Sequence, residues 1–222
     1  MSFHSRLASL IEETESESDK ADEFEYIRKM VAEQEVQSIV NQLHQHLTSH
    51  NYDACQPLLS RAKHQLLQLQ ALIPNERIPA RVLKLARDTL ELGALVSIRL
   101  KDAESFTRYF QQLQPFYSIP EQVLPRTGNN ASKITGLYLL LLLSSGDYAG
   151  FHTQLERLAM GGVKLEDDEC IQYPIRLEQA LMEGSYDRVW SRTMGEAVPS
   201  EEFKVFSEVC FTRYNQCSRR FH

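Results

Sequence analysis

The sequence predicts an all-α fold, arranged as an α-solenoid of antiparallel helical hairpins with tetratricopeptide-like repeats. Leu occurs 29 times in 222 residues, against 11 Val and 10 Ile, and the chain holds only 9 Gly and 8 Pro. A composition rich in Leu and poor in β-branched residues and breakers favours helices over sheets. Hydrophobic residues make up 42% of the chain, which is enough to bury a core.

Repeated helix-to-helix junctions are the second observation behind this fold. Each copy has a Leu five residues before a Tyr, and an apolar or sulfur-bearing residue three positions after it. The copies are LTSHNYDAC (47–55), LLSSGDYAGF (142–151) and LMEGSYDRV (181–189), with LKDAESFTRY (100–109) as a looser fourth. Recurrence at about 40 residues is typical of stacked αα-hairpins. We therefore expect Tyr52, Phe106, Tyr148 and Tyr186 to be largely buried; the alternative is a compact helical domain.

Apolar residues at spacings of three and four predict about nine helices. The first three helices are predicted at 27–47, 55–72 and 79–100. The fourth is capped by Asp102, the fifth spans 132–145 and the sixth follows Asp147. The seventh is opened by Pro174, the eighth follows Tyr186 and the last starts near Pro199. Pro115, Pro120 and Pro125 are expected to interrupt the middle of the chain as a loop. Residues 163–173 are expected to form an acidic loop.

The N-terminal segment is acidic. Residues 12–25 hold eight acidic residues and one Lys, so residues 1–25 are predicted to be a flexible, solvated segment or a frayed helix. Residues 26–195 are predicted to be the helical-repeat domain.

The residue patterns predict no enzyme and no cofactor. The sequence has no GxGxxG, GxxxxGK[ST] or GxSxG motif. His44, His46, His50 and Cys55 are close in sequence, but Leu follows His46, so HExxH is absent, and no CxxC supports a zinc site. The acidic run 167–169 is expected to cap a helix rather than to act as an acid/base pair. No catalytic, cofactor-binding or metal-ligating residue is predicted.

Charge and hydropathy restrict the partners. The net charge is 24 − 30 = −6, which disfavours nucleic-acid backbones. The most apolar stretch, 137–143, is far shorter than the ~20 residues that span a bilayer. The N-terminus lacks a signal-peptide pattern. We expect a cytoplasmic and nuclear protein with four free cysteines, no membrane contact and no small-molecule substrate.

Three stretches closely resemble a family of 26S proteasome regulatory lid subunits, the non-ATPase regulatory subunit 8 family. They are LARDTLELGALVSIRLKDAESFTRYFQQLQPFY (85–117), GLYLLLLLSSGDYAGFHTQLERL (136–158) and YPIRLEQALMEGSYDRVW (173–190). This family is of the PCI class, shared with subunits of the COP9 signalosome and of translation initiation factor three. The resemblance implies a non-catalytic scaffold that contacts other lid subunits in ubiquitin-dependent proteolysis. A scaffold role in another PCI complex is the alternative.

The last residues depart from that family. FTRYNQCSRRFH, at 211–222, ends where the family would continue into a winged helix. Residues 196–222 are therefore expected to be a truncated start of the PCI module, with the winged-helix part missing or incomplete. The apolar residues of this segment are predicted to form an exposed patch for protein interaction. They are Phe203, Phe206, Val209, Phe211 and Tyr214.

Overall fold

The computed structural model describes residues 3–75, 77–125, 130–161, 167–185 and 198–204, with side chains from residue 24 onward. The helices are α1 (Phe3–Thr48), α2 (Cys55–Gln68), α3 (Ala80–Arg99), α4 (Ala103–Tyr117), α5 (Asn130–Ser145), α6 (Tyr148–Met160) and α7 (Glu169–Met182). A further helical turn follows at 201–204. These ranges contain no strand, which confirms the all-α prediction. The solenoid arrangement and the three predicted segments stay predictions.

The chain forms two compact units, 1–86 and 87–222, and the boundary between them falls inside α3. In the first unit, α1 packs against α2. The buried side chains recur every three or four residues on both helices, so one stripe of each helix meets the other. These residues are Ala32, Val36, Ile39, Val40 and Leu43 of α1, and Cys55, Leu59, Ala62 and Leu66 of α2. The α1 helix also runs through the acidic segment predicted to be solvated or frayed.

In the second unit, α5 packs against α4, α6 and α7. Its apolar run is buried on several sides, as the sequence predicts for a helix that is hydrophobic nearly all round. Ile134, Leu137, Leu139 and Leu140 are all fully buried. Gly136 allows α7 to approach closely, because a Cβ at this position would overlap with the carbonyl oxygen of Cys170.

The repeated junctions are Schellman motifs, in which a residue with positive φ ends a helix. The positive-φ residues of these junctions are His50, Lys101, Gly146 and Gly184, and Gln70 ends α2 in the same way. In each case the next N–H donates to the carbonyl five residues earlier; the pairs are Asn51 to His46, Ala71 to Leu66, Asp102 to Ser97, Asp147 to Leu142 and Ser185 to Ala180. The sequence repeat therefore marks helix C-termini.

The positive-φ residue of each Schellman motif also shows how the copies of the repeat align with one another. The position five residues after it is Cys55, Phe106 or Phe151, and each of these side chains is fully buried. Phe106 is thus the equivalent of Cys55 and Phe151, not of the tyrosines with which the sequence pattern aligned it. Its predicted burial is confirmed, but the predicted alignment of the fourth copy is wrong by three residues.

The tyrosines of the repeat lie closer to the surface than predicted. Tyr52 and Tyr148 are of intermediate burial, less buried than Phe106, so the prediction that they are largely buried is met only in part. Tyr148 is the first residue of α6, and Tyr52 precedes the first residue of α2 by three positions. The residue three positions later, Cys55 or Phe151, is nearly one turn further in. Tyr186 lies outside the described residues, as does the short helix predicted to follow it.

Two prolines lie inside helices where the sequence predicts loops or a helix start. Pro115 lies in the last turn of α4, which continues to Tyr117. The α7 helix begins at Glu169, five residues before Pro174, so the predicted acidic loop is too long. Asp168 starts this helix early, because its Oδ1 accepts the N–H of Cys170 at 3.0 Å. The predicted helix cap at Asp102 is confirmed, because its Oδ1 accepts the N–H of Ser105 at 3.0 Å. Asp147 caps α6 in the same way, with a bond of 2.8 Å from the N–H of Gly150.

Candidate protein-interaction site

Phe203 is the one residue of the predicted interaction patch that the structure describes. Its side chain is fully buried, and its ring meets Tyr173 of α7 edge-on with centroids 5.7 Å apart. It also lies 3.0 Å from the position that a Cβ at Gly136 would occupy. The structure therefore places Phe203 in the core of the second unit, and an exposed Phe203 is not observed. Phe206, Val209, Phe211 and Tyr214 lie outside the described residues, and their role stays a prediction.

Glu202, the residue before Phe203, forms ion pairs with two basic side chains. One carboxylate oxygen lies 3.0 Å from Nη2 of Arg99, and the other lies 2.9 Å from Nζ of Lys133. Burial alone would raise the pKa of Glu202, but the hydrogen bonds from Lys133, Ser200 and the backbone, together with the charge of Lys133, outweigh it, and the pKa falls to about 2. The carboxylate is therefore ionised at neutral pH. Residues 202 and 203 together attach the 198–204 segment to helices α3, α5 and α7.

Sequence reasoning missed Glu202 as a site residue. Its partners Arg99 and Lys133 are 103 and 69 positions away in the chain, and nothing in the local pattern EEF pairs them. Its neighbour Glu201 also approaches Arg99, at 3.3 Å, but its side chain is 72% exposed. Because Glu202 is buried and Glu201 is exposed, the ion pair of Glu202 with Arg99 is the stronger of the two.

A second buried polar cluster lies at the start of the second unit. The guanidinium of Arg87 donates to the carbonyl of Pro125 at 2.9 Å and lies 3.7 Å from Glu91. Glu91 accepts hydrogen bonds from the Tyr117 hydroxyl at 3.3 Å and the Asn130 amide at 3.2 Å. Burial raises the pKa of Glu91, and the charge of Arg87 opposes that rise only in part. These groups satisfy one another, so the cluster ties α3 to α4, α5 and the 120–125 turn.

The described titratable groups do not form a cluster that could bind a metal ion. In the ranges listed above, no three His, Cys, Asp or Glu side chains converge in a way that could hold a metal ion. In the histidine-rich stretch, His50 Nδ1 lies 2.6 Å from the Tyr52 hydroxyl. Burial raises the pKa of the thiols of Cys55 and Cys170, which disfavours the nucleophilic thiolate. Both are free thiols, as predicted.

Within the described part of the chain, no helix combines the length and the apolar character needed to cross a membrane. The longest apolar helix, α5, is only 16 residues long.

Comparison with known proteins relates part of this sequence to one protein family. The sequence model of the CSN8/PSMD8/EIF3K family matches residues 129–207, which run from α5 to just beyond the attached segment. The matched range thus includes the described helices α5, α6 and α7.

The most informative relatives are proteasome subunits. The chain is 36% identical over 163 residues to 26S proteasome regulatory subunit RPN12 of Saccharomyces cerevisiae, which covers 72% of this chain and 59% of the relative. It is 37% identical over 162 residues to 26S proteasome non-ATPase regulatory subunit 8 homolog A of Arabidopsis thaliana, covering 72% and 58%. The match to subunit rpn12 of Schizosaccharomyces pombe is 35% over 159 residues, covering 72% and 56%.

These similarities confirm the resemblance seen in the sequence. The chain is similar to the 26S proteasome regulatory subunits named RPN12 or non-ATPase regulatory subunit 8. It spans less than three fifths of the length of the relatives that it matches. The names of these relatives describe regulatory subunits, and the name of the Arabidopsis thaliana relative includes the designation non-ATPase.

Proposed function

We propose that this chain is a non-catalytic structural subunit of the 26S proteasome regulatory particle lid. In this role it supports lid assembly and ubiquitin-dependent protein degradation in the cytoplasm and nucleus. The observation that carries the proposal is the similarity to proteasome regulatory subunits over 72% of the chain. The described helices support the proposal. Their buried polar groups pair with each other inside the fold, so the exposed helix surfaces are the parts that protein contacts would use.

The attached segment gives this proposal a structural route. Phe203 and Glu202 hold residues 198–204 against the helices, so the chain after residue 204 starts from a fixed place on the second unit. Phe206, Val209, Phe211 and Tyr214 follow directly and supply the apolar contacts of the proposed interaction with other lid subunits. Helical hairpins stacked as a solenoid would present the remaining contact surface.

Affinity purification of the tagged full chain from cells tests this function. We expect lid subunits to co-purify with the parent chain. Phe203→Ala should reduce their yield strongly, because it releases the segment that leads to the proposed contacts. Met160→Ala serves as the matched control, because its side chain is 88% exposed and lies in the same unit. Full recovery of lid subunits with a folded Phe203→Ala chain would refute this route, and absence of lid subunits with the parent chain would refute the function.

The family match also favours one alternative. Its description joins subunits of more than one complex, so a helical-repeat scaffold in the COP9 signalosome or in translation initiation factor three is the second candidate. The same purification separates the candidates, because each complex brings a different set of co-purifying proteins. Recovery of signalosome or initiation-factor subunits in place of lid subunits would favour the alternative.

A further inference from the structure

We propose that a cavity in the second unit binds a peptide segment of another protein that carries Arg or Lys. The cavity has a volume of about 1140 Å³. It lies between the last turns of α4 and α6 and the first turns of α5 and α7. We refer to it as the helix-end cavity. Its lining includes residues 117–121, residues 131, 132 and 135 of α5, and residues 167–171.

The strongest sign of a ligand in the helix-end cavity is the side chain of Gln154 on α6. It lines the cavity and is only 6% exposed, yet its amide makes no hydrogen bond within the described part of the chain. Thr135 lines the same cavity and is 5% exposed, but its hydroxyl donates to the carbonyl of Ala131 at 2.7 Å. Burying an amide without a partner is unfavourable, so a polar group that enters the cavity would satisfy Gln154.

The charged side chains of the lining favour a basic ligand. Among the described lining residues, the acidic ones are Glu121, Asp167, Asp168 and Glu169, and the one basic residue is Arg157. Their formal charges sum to 1 − 4 = −3. A Lys or Arg side chain of the ligand would complement this charge, which confers specificity and speeds association. An acidic ligand would instead meet four carboxylates.

The same lining favours a peptide over a free cation. The amide of Gln154 both donates and accepts hydrogen bonds, as a peptide unit does, so a single peptide unit can satisfy it. Arg157 lies three residues later on the same helix and offers donors to peptide carbonyls. The cavity is also larger than the roughly 300–1,000 Å³ that is typical of small-molecule sites. These features do not depend on which complex contains the chain.

Nuclear magnetic resonance titration of the labelled full chain tests the site directly. The probe is an acetylated and amidated Gly-Arg-Gly peptide, and the corresponding Gly-Glu-Gly peptide is its control. The side-chain amide signal of Gln154 is identified by its loss in Gln154→Leu. We expect the arginine peptide to shift this signal saturably, and the glutamate peptide to leave it in place. Absence of a saturable shift would mean that the cavity holds solvent alone and would overturn the inference, as would an equal response to both peptides.

A charge variant tests the acidic lining. Glu121→Gln with Glu169→Gln should weaken binding of the arginine peptide by about fivefold or more. The matched control is Glu104→Gln with Glu183→Gln, because both side chains are exposed at the opposite ends of α4 and α7 and neither lines the cavity. Equal affinities of the two double variants would overturn the role of the acidic lining.

Photo-crosslinking in cells tests whether the occupant is another protein. Benzophenone-bearing phenylalanine at Ser118, an exposed lining position, should crosslink to a peptide of another protein that contains Lys or Arg. The control position is Thr153, which is exposed on α6 and does not line the cavity. Crosslinks to this chain itself or to an acidic segment would overturn the inference, as would a yield no higher than at Thr153.

Discussion

The carbonyl oxygen of Cys170 lies where the side chain of residue 136 would begin, so Gly136 lets α7 approach α5 closely. Pro174 has no N–H, and the Cys170 carbonyl therefore lacks its usual helical donor four residues on. The same glycine lies beside the ring of Phe203. One residue without a side chain thus brings together α5, α7 and the attached 198–204 segment.

This close approach predicts that Gly136→Ala destabilises the chain. Alanine is ordinarily the better residue inside a helix, by about 1 kcal/mol. Here the new methyl group would overlap with backbone, and we expect the free energy of unfolding to fall by about 1–3 kcal/mol. Urea denaturation measures the effect. Gly161→Ala is the control, because its added Cβ would meet nothing closer than 3.4 Å. Equal stability of the two variants would contradict the close packing.

The ionised state of Glu202 predicts acid sensitivity. Its pKa is about 2 in the folded chain, below the ordinary value of 4.5. A depressed pKa contributes stability that is fully present above pH 4.5 and is lost as the pH falls toward 2. The contribution is at most about 3 kcal/mol. Measured between pH 5 and pH 2.5, Glu202→Gln should lose less stability than the parent chain.

Glu201→Gln is the matched control for that experiment. Its side chain is largely exposed and its approach to Arg99 is longer, so we expect a change within about 0.5 kcal/mol at neutral pH. If Glu201→Gln reduced the loss of stability at low pH and Glu202→Gln did not, the pairing of Glu202 with Lys133 would not be the source of the acid sensitivity.

The pH dependence of Glu91 has the opposite sign. Burial raises its pKa in the folded chain, so ionising it reduces stability as the pH rises above its ordinary value. Relative to the parent chain, Glu91→Gln should therefore gain stability between pH 4 and pH 7. Arg87→Met should cost about 3–5 kcal/mol at pH 7, because it leaves Glu91 buried without its cation. Chemical denaturation at the two pH values measures both effects; a flat difference for Glu91→Gln would argue against the burial effect.

Local signals account for what the sequence predicts well. The apolar run in α5 and the cap at Asp102 depend on residues within one or two turns, and the structure confirms them. The misses depend on contacts that are distant in sequence. The early start of α7 puts Pro174 inside a helix that packs on Gly136, and Glu202 finds Lys133 across 69 residues. A single sequence gives no signal for such pairs.

The corrected register of the repeat gives the last prediction. Phe151 is fully buried five residues after Gly146, whereas Tyr148 is only partly buried. Phe151→Ala should therefore cost about 3–5 kcal/mol, as truncating a core aromatic does, because it leaves a cavity beside α5. Tyr148→Ala should cost about 1 kcal/mol. Urea denaturation of the two variants decides between the two alignments of the repeat. If the tyrosine-centred alignment were right, Tyr148→Ala would lower the free energy of unfolding more than Phe151→Ala does. Phe106→Ala, at the equivalent position, should behave like Phe151→Ala.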